Sequence, residues 1–142
     1  MTQVVLRNPV GLPTGLPESG LTPHHQSDAW TQSMQRRALL CVRCQWPITD
    51  AAQRIAVAGD HEHTVFNPHG VVFHIGCFGV ASGCVGVGEW SGEFSWFRGH
   101  VWQIALCGRC QWHLGWFFRE QLGAVFVGLI LNRLLENKEQ QL

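Results

Sequence analysis

The sequence has no tyrosine, no excess of either charge and no apolar run long enough to span a bilayer. Its ten lysines and arginines balance ten aspartates and glutamates, so no basic stripe is present to attract nucleic acid or an anionic membrane surface. The long apolar segment at residues 124–131 is far shorter than the ~20 residues that a transmembrane helix needs. We therefore expect neither a nucleic-acid partner nor a membrane partner.

A secretory apolar segment is also missing from residues 1–35. Six cysteines without such a segment fit a reducing compartment, so we expect an intracellular, cytoplasmic protein. A chain of 142 residues has the length of one domain, and a metal site would help to stabilise a core of that size.

The first part of the chain has a composition that opposes regular structure. Proline and glycine alternate along residues 9–23, which disfavours both helices and strands. We expect a disordered or vector-derived tail over residues 1–27 and a single domain over residues 28–142. A short helix over residues 28–40 is predicted from Trp30, Met34 and Ala38, which recur every four residues.

Two Cys-x-x-Cys motifs are the clearest chemical signal, and they consist of Cys41, Cys44, Cys107 and Cys110. Each motif places two thiolates at the tip of a tight turn, and two such turns complete the tetrahedral shell that zinc accepts. Because protein atoms fill all four positions, we expect a structural Zn2+ that carries out no chemistry. Iron in the same shell, a thioredoxin-like redox pair and two disulfides are the alternatives.

Beyond the first motif, short apolar segments broken by glycine, asparagine and proline predict an antiparallel all-β domain. The predicted strands cover residues 54–58, 64–66, 71–75, 101–106, 116–118 and 126–131. The clearest turn lies at residues 67–70. A helix over residues 121–137 is the alternative for the last segment, but Gly123 and Gly128 would each weaken it by ~1 kcal/mol relative to alanine.

Tryptophan is abundant, and five of the seven tryptophans lie between residues 90 and 116. Trp96 and Trp102 flank a glycine-containing loop before the second cysteine motif, and Trp116 follows that motif. A loop buries two indoles only where each indole N–H has a partner, so partly exposed indoles here indicate a pocket. If the strands on either side of the motif pair, the three indoles come together as a cage. Plain core packing is the alternative.

Three motifs keep a fixed order along the chain. They are Phe-Asn-Pro-His-Gly at residues 66–70, Ser-Trp-Phe-Arg-Gly-His-Val-Trp at residues 95–102, and His-Leu-Gly-Trp-Phe-Phe at residues 113–118. With both cysteine motifs, they resemble the thalidomide-binding (CULT) domain of the cereblon family over about residues 40–135. Within that family the chain is most similar to small single-domain bacterial members such as that of Magnetospirillum.

This resemblance implies a β-tent, in which two antiparallel sheets are pinned by a four-cysteine zinc site. It also implies a small-molecule binding module in which a three-tryptophan cage recognises cyclic imides: thalidomide-like glutarimides, uracil-like rings, or the C-terminal cyclic imide of a protein. The ligand-binding residues that it implies are Asn67, Pro68, Phe94, Ser95, Trp96, Trp102, Trp116 and Phe118.

Two residues depart from the expected pattern. Phe94 stands where human cereblon has a histidine, and Phe118 has no hydroxyl, so recognition would depend on main-chain groups and on shape. A ubiquitin-ligase role is not implied, because most of the surface that human cereblon presents to its partners lies on another domain.

Other functions are weaker alternatives. B-type methionine sulfoxide reductases share a similar fold and two Cys-x-x-Cys zinc motifs, but the sequence around Cys77 and Cys84 lacks the context of their activated cysteine. We interpret both as small buried side chains, expect no catalytic residues and expect no enzyme. An aromatic cage for a methylated ammonium is the other alternative. Residues 60–63 (Asp-His-Glu-His), with His69 and His74, could bind a second metal, but we interpret them as a solvated loop, because His-x-His without a further ligand at fixed spacing is a weak signal.

Overall fold

The computed structural model describes residues 37–137. The predicted tail and most of the helix predicted over residues 28–40 lie outside the described residues. Where this helix overlaps them the prediction is wrong, because Ala38–Cys41 forms a strand. Its burial alternates, with Leu39 and Cys41 inward, and ladder pairing on both sides overrides the four-residue spacing. No helix within residues 37–137 has the length and apolarity to cross a membrane.

Two antiparallel sheets make up the described part of the chain, which confirms the all-β prediction. The strands are β1 (Ala38–Cys41), β2 (Pro47–Asp50), β3 (Glu62–Phe66), β4 (Val72–Phe78), β5 (Cys84–Ser91), β6 (His100–Cys107), β7 (His113–Glu120), β8 (Val125–Ile130) and β9 (Leu134–Glu136). One sheet has the order β2-β1-β9, and the other has the order β3-β4-β8-β7-β6-β5. Single turns of 3-10 helix cover Ala51–Gln53 and Leu131–Arg133.

Five of the six predicted strands are present, and the exception is the segment at residues 54–58. There, only isolated bridges form at Arg54 and Val57. A tight turn follows immediately, with Ala58 and Gly59 both at positive φ (54° and 92°), so the chain turns back before a ladder can extend. The prediction missed β5, whose glycines interrupt the apolar pattern, and the short strands of the smaller sheet.

A different core lies on each face of the six-stranded sheet, because successive strand residues point to opposite faces. On β8, for example, Val127 belongs to one core and Phe126 to the other. The first core includes residues of the three-stranded sheet, such as Leu39 and Ile48. The second lies under the loop at residues 92–99 and contains most of the aromatic side chains.

Gly83 links the two sheets through its main chain. Its N–H donates to the Ile48 carbonyl of β2 (3.0 Å), and its carbonyl accepts from the Gly108 N–H in the second cysteine motif (2.8 Å). A β-carbon at Gly83 would overlap the carbonyl oxygen of Pro47, so only glycine permits this approach. The second cysteine turn is thereby held against the smaller sheet.

Candidate functional site

The structure brings the four cysteines of the two motifs to one point. Their sulfur atoms all lie within 4.8 Å of one another. The Sγ atoms of Cys41 and Cys110 are 3.8 Å apart, and those of Cys44 and Cys107 are 3.6 Å apart. A tetrahedron with metal–sulfur bonds of about 2.3 Å has edges of about 3.8 Å, so these thiols fit a single bound metal ion.

The two cysteine turns have the same conformation, because the hexapeptide Cys-x-Arg-Cys-Gln-Trp occurs twice. In the first turn the N–H of Gln45 donates to the Cys41 carbonyl (2.7 Å), and in the second that of Gln111 donates to the Cys107 carbonyl (2.9 Å). Both glutamines have a left-handed backbone, with φ of 66° and 65°. The shared Arg, Gln and Trp of the hexapeptide, and not only the cysteines, therefore indicate that the two turns are alike.

Arginine and tryptophan side chains cross between the two turns. The guanidinium of Arg43 lies 4.9 Å from the ring centroid of Trp112, and that of Arg109 lies 5.7 Å from the ring centroid of Trp46. Arg133 stacks on the Trp112 ring as well, at 4.8 Å. Each turn therefore contacts the other through a cation–π pair, and the positive charges lie beside a centre that is negative when four thiolates bind a divalent ion.

Main-chain N–H groups favour the thiolate form of Cys107, the form that binds a metal. Burial acts to raise the pKa of Cys107, but hydrogen bonds from the N–H groups of Cys110 (3.4 Å) and Arg109 (3.3 Å), with the neighbouring thiols, lower it to about 7. For Cys44, desolvation dominates and raises the pKa to about 11. Binding of a metal ion would therefore release a proton from Cys44.

The two turns belong to different sheets. The first joins β1 to β2 of the three-stranded sheet, and the second joins β6 to β7 of the six-stranded sheet. A metal ion held by all four cysteines would cross-link the sheets at this point, which is the arrangement that the family resemblance implies.

The same β6–β7 pair carries two of the three predicted cage tryptophans, Trp102 and Trp116. In the ladder, Trp102 lies opposite Phe118, and Ile104 lies opposite Trp116. The strands around the second motif do pair, as expected. Trp96, from the loop at residues 92–99, meets Trp116 edge to face, with ring centroids 4.7 Å apart and planes at 84°. These two indoles form a right-angled corner.

Trp102 stands beside this corner and is not part of it. It packs against the same core, but within residues 37–137 its ring makes no ring–ring contact. Its indole N–H donates to the Glu93 carbonyl (2.7 Å), while that of Trp96 donates to the Phe66 carbonyl (3.0 Å). Both indole N–H groups thus have a hydrogen-bond partner, and both indoles stay partly exposed.

The loop presents main-chain groups next to the corner. Phe94 has a left-handed backbone (φ 55°) and a side chain that is 70% exposed. Among residues 37–137, no hydrogen bond engages the carbonyl of Phe94 or the main-chain N–H of Trp96. The hydroxyl of Ser95 donates to the Phe97 carbonyl (3.1 Å) and helps to hold the loop. A donor and an acceptor are therefore available within three residues.

Asn67 and Pro68 lie in the turn between β3 and β4, where a turn was predicted. The side-chain oxygen of Asn67 accepts hydrogen bonds from the N–H groups of His69 and Val71, both at 2.9 Å. This oxygen therefore holds the turn together. The hairpin reaches the aromatic cluster through the bond from Trp96 to Phe66.

Two phenylalanines of the cluster were missed by the sequence analysis. The Phe73 ring centroid lies 5.1 Å from that of Trp116, and Phe73 adds a wall from β4. Phe97 is only 6% exposed and packs against Phe118 (4.8 Å) and Phe126 (5.2 Å). Both lie within or beside the recognised motifs, but only the packing shows that Phe97 anchors the loop.

The histidines of residues 61–63 use their rings to bind backbone. A ring nitrogen of His61 lies 3.1 Å from the Ile55 carbonyl oxygen, and one of His63 lies 3.0 Å from that of Val57. In the part of the chain that the structure describes, the four cysteines form the one group of three or more possible metal ligands.

Cys77 and Cys84 are not activated thiols. Cys77 is fully buried, as predicted, and burial raises its pKa to about 12. Cys84 is half-buried, and burial also raises its pKa to about 12. At neutral pH both thiols remain protonated, the opposite of what a nucleophilic cysteine needs.

The fold and site define an all-β protein with a four-cysteine centre able to hold a metal ion and an aromatic cluster compatible with ligand binding. The chain is 34% identical over 82 residues, 56% of its length, to protein cereblon of Drosophila erecta. It is 42% identical over 55 residues to that of Drosophila melanogaster and 42% identical over 52 residues to that of Danio rerio, 37% of this chain in each case.

These similarities show that the chain is related to the cereblon family over part of its length. The matched stretches span 14%, 9% and 12% of these three relatives. No model of a protein family matches the chain.

Proposed function

We propose that this domain is a binding module, not an enzyme, that recognises cyclic imides at the aromatic cluster and holds a structural zinc ion at the cysteines. The observation that carries the proposal is the right-angled corner of Trp96 and Trp116, together with a main-chain donor and acceptor in the same loop that have no partner among residues 37–137. The relationship to cereblon supports the same function.

A cyclic imide presents a carbonyl, an N–H and a second carbonyl along one edge. The Phe94 carbonyl would accept from the imide N–H, and the Trp96 N–H would donate to an imide carbonyl. Both groups are neutral, as is the ligand, so no charge is buried. The CH2 face of the ring would lie against the indoles, with Phe118 at the base and Trp102 as a further wall.

Recognition at this site would depend on main-chain groups and shape. The Phe94 side chain is exposed and apolar, and Phe118 offers no hydroxyl. The hairpin turn at Asn67 and Pro68 would form the rim, joined to the loop by the bond from Trp96 to Phe66. A ligand with so few heavy atoms would bind with an affinity on the order of micromolar.

Zinc is the proposed metal, because a closed shell of four thiolates with tetrahedral edges suits Zn2+ and leaves no position for substrate. Iron binds the same shell and is the alternative. Thiolate ligands require reduced cysteines, and all six cysteines are free, so we place the protein in a reducing compartment such as the cytoplasm. Metal analysis of purified protein tests the assignment, and folded protein without bound metal would refute it.

The proposed partners are small cyclic imides or the C-terminal cyclic imide of another protein. The balanced charge offers no attraction for nucleic acid or for an anionic membrane surface. The activities and assemblies of full-length cereblons are not assigned to this chain.

Tryptophan fluorescence tests the proposed ligand class. Glutarimide, thalidomide and uracil should each change the emission in a saturable way. N-methylglutarimide should bind at least about tenfold more weakly, because methylation removes the N–H that donates to Phe94. A saturable response to trimethyl-lysine but not to glutarimide would replace this proposal with an ammonium cage.

Variants locate the binding site. Trp102→Ala and Trp116→Ala should each weaken imide binding at least about tenfold, through loss of an aromatic wall. Trp46→Ala is the matched control, since that indole lies at the cysteine turns, and it should leave imide binding unchanged. If Trp102→Ala lost its metal together with imide binding, Trp102 would be structural.

An assay of methionine sulfoxide reduction tests the alternative that the chain is an enzyme. Neither Cys77 nor Cys84 has a lowered pKa, so we expect no reduction of methionine sulfoxide. Reductase activity that disappears in Cys84→Ser would overturn the assignment as a binding module.

A further inference from the structure

A second concave surface lies outside the aromatic cluster. It is a cleft of about 690 Å3 between the loop at residues 92–99 and the adjoining ends of β6 and β7. Its lining includes Phe94, Arg98, His100 and Arg119 but none of the three cage tryptophans. It is an open surface depression, and it adjoins the proposed imide site through Phe94 and Ser95.

Two arginines that line this cleft have no acidic partner among residues 37–137. Within residues 37–137, the Arg98 side chain makes no ion pair or hydrogen bond, and Arg119 contacts only the Trp90 ring, 4.3 Å from its guanidinium carbon. Elsewhere, Arg54 pairs with Glu136 at 3.8 Å. Both arginines therefore line the cleft without an ion-pair partner among the described residues.

The cleft combines a restrained arginine with an apolar side chain. Stacking on Trp90 restricts the guanidinium of Arg119 and leaves its N–H groups free to donate. Phe94 supplies an exposed apolar wall. The nearby carboxylate of Glu120 is 4.0 Å from His100 and largely in solvent, so it does not cover the arginines.

We propose that this cleft binds an oxyanion, the carboxylate or phosphate of a small ligand, through Arg98 and Arg119. A guanidinium presents paired N–H donors that match the two oxygen atoms of such a group. The apolar wall at Phe94 favours a ligand with a hydrophobic part next to the anion. The cleft shares Phe94 and Ser95 with the proposed imide site, but an anion held by the two arginines needs no cage tryptophan, so either proposal can fail without the other.

Side-chain NMR of the full chain tests the site directly. Inorganic phosphate, benzoate and acetate are added in turn at constant ionic strength, and the Nε–Hε signals of the arginines are followed. Arg98 and Arg119 should shift in a saturable way, while Arg54 should not. Saturation by benzoate at a lower concentration than by acetate identifies a carboxylate with an apolar body, whereas saturation by phosphate alone identifies a phosphate site.

Charge-matched variants complete the test. Arg98→Gln should weaken anion binding about tenfold, as expected for loss of one charge-assisted contact. Because the Arg98 side chain has no ion pair or hydrogen bond within residues 37–137, the substitution should leave the fold intact. Arg119→Gln should have a similar effect. Arg54→Gln changes the net charge equally and should leave binding intact. Equal shifts of all arginines, no saturable shift, or equal weakening by Arg54→Gln would overturn the proposal.

Discussion

The cysteine centre and the aromatic cluster share the β6–β7 hairpin but are assembled in opposite ways. The cysteine centre is built from two copies of one hexapeptide, with matching turns and cation–π pairs that cross between them. The aromatic cluster takes Trp102 from β6, Trp116 from β7, Phe73 from β4 and Trp96 from a loop. The first is a local motif used twice, whereas the second exists only where distant segments meet.

The two regions also differ in what they leave unsatisfied. The four thiols are mutual neighbours, so a metal ion would complete the centre and close it to other ligands. At the aromatic cluster, the loop that carries Trp96 keeps a main-chain donor and an acceptor with no partner in the described part of the chain. A closed centre suits a structural role, and an open one suits ligand binding.

The largest expected effect comes from breaking the cysteine centre. Cys107→Ser should abolish metal binding and lower the free energy of unfolding by more than about 4 kcal/mol, because loss of a structural metal is among the most destabilising changes. Metal analysis and thermal unfolding measure both effects. Cys84→Ala, at the residue paired with Cys107 in the ladder, is the control and should keep the metal. Retained metal in Cys107→Ser would contradict the assignment.

Removal of one indole should cost less. Trp116 is 8% exposed and contacts Trp96, Phe73 and His113, so Trp116→Ala should lower the free energy of unfolding by about 3–5 kcal/mol while the metal stays bound. Chemical denaturation with metal analysis checks this. Trp96→Ala should lower the free energy of unfolding by less, because Trp96 is more exposed than Trp116. Release of metal from Trp116→Ala would show that the two regions are not independent.

The cation–π pairs between the turns should have a smaller effect. Arg43→Gln should lower the free energy of unfolding by about 0.5–1 kcal/mol, as for exposed pairs of this kind. A double-mutant cycle with Trp112→Leu isolates the pair, although Arg133 also stacks on this ring. A coupling energy of zero would show that the Arg43–Trp112 contact does not stabilise the protein.

The smallest expected effect is a pH dependence at His113, whose ring contacts Trp116 at 4.7 Å. Burial lowers the pKa of His113 below the ordinary 6.5, and the positive charge of Arg133 lowers it further. The hydrogen bond to the Gly115 carbonyl acts in the opposite direction but does not outweigh burial. The unfolded chain then binds the proton more readily, so this contribution to stability is full above pH 6.5 and is lost as the pH falls below it.

Histidine NMR titration measures that pKa directly. A value at or above 6.5 in the folded protein would contradict the expected direction. His113→Phe keeps an aromatic ring and removes the titrating group. As the pH falls from 7.5 to 5.5, the free energy of unfolding of His113→Phe should therefore decrease less than that of the unsubstituted chain.

Much of the cysteine centre could be predicted, because a Cys-x-x-Cys motif fixes its own turn and leaves only the meeting of two turns to the fold. The strands with clear apolar segments were found for a similar local reason. The segment at residues 54–58 was not predictable in this way, since its apolar residues cover the second core without joining a ladder. Residues 38–40 fitted a helical spacing, but pairing with β2 and β9 decided otherwise.

The sequence by itself determined the cysteine turns, the all-β class and the presence of tryptophans on both sides of the second motif. The tertiary structure alone decided that Trp96 and Trp116 meet at a right angle while Trp102 stands apart. It also placed Phe97 in the core and set two arginines around one cleft. The physical reason is that spacing along a chain fixes short-range turns and faces, whereas ring angles and clefts follow from packing between segments distant in sequence.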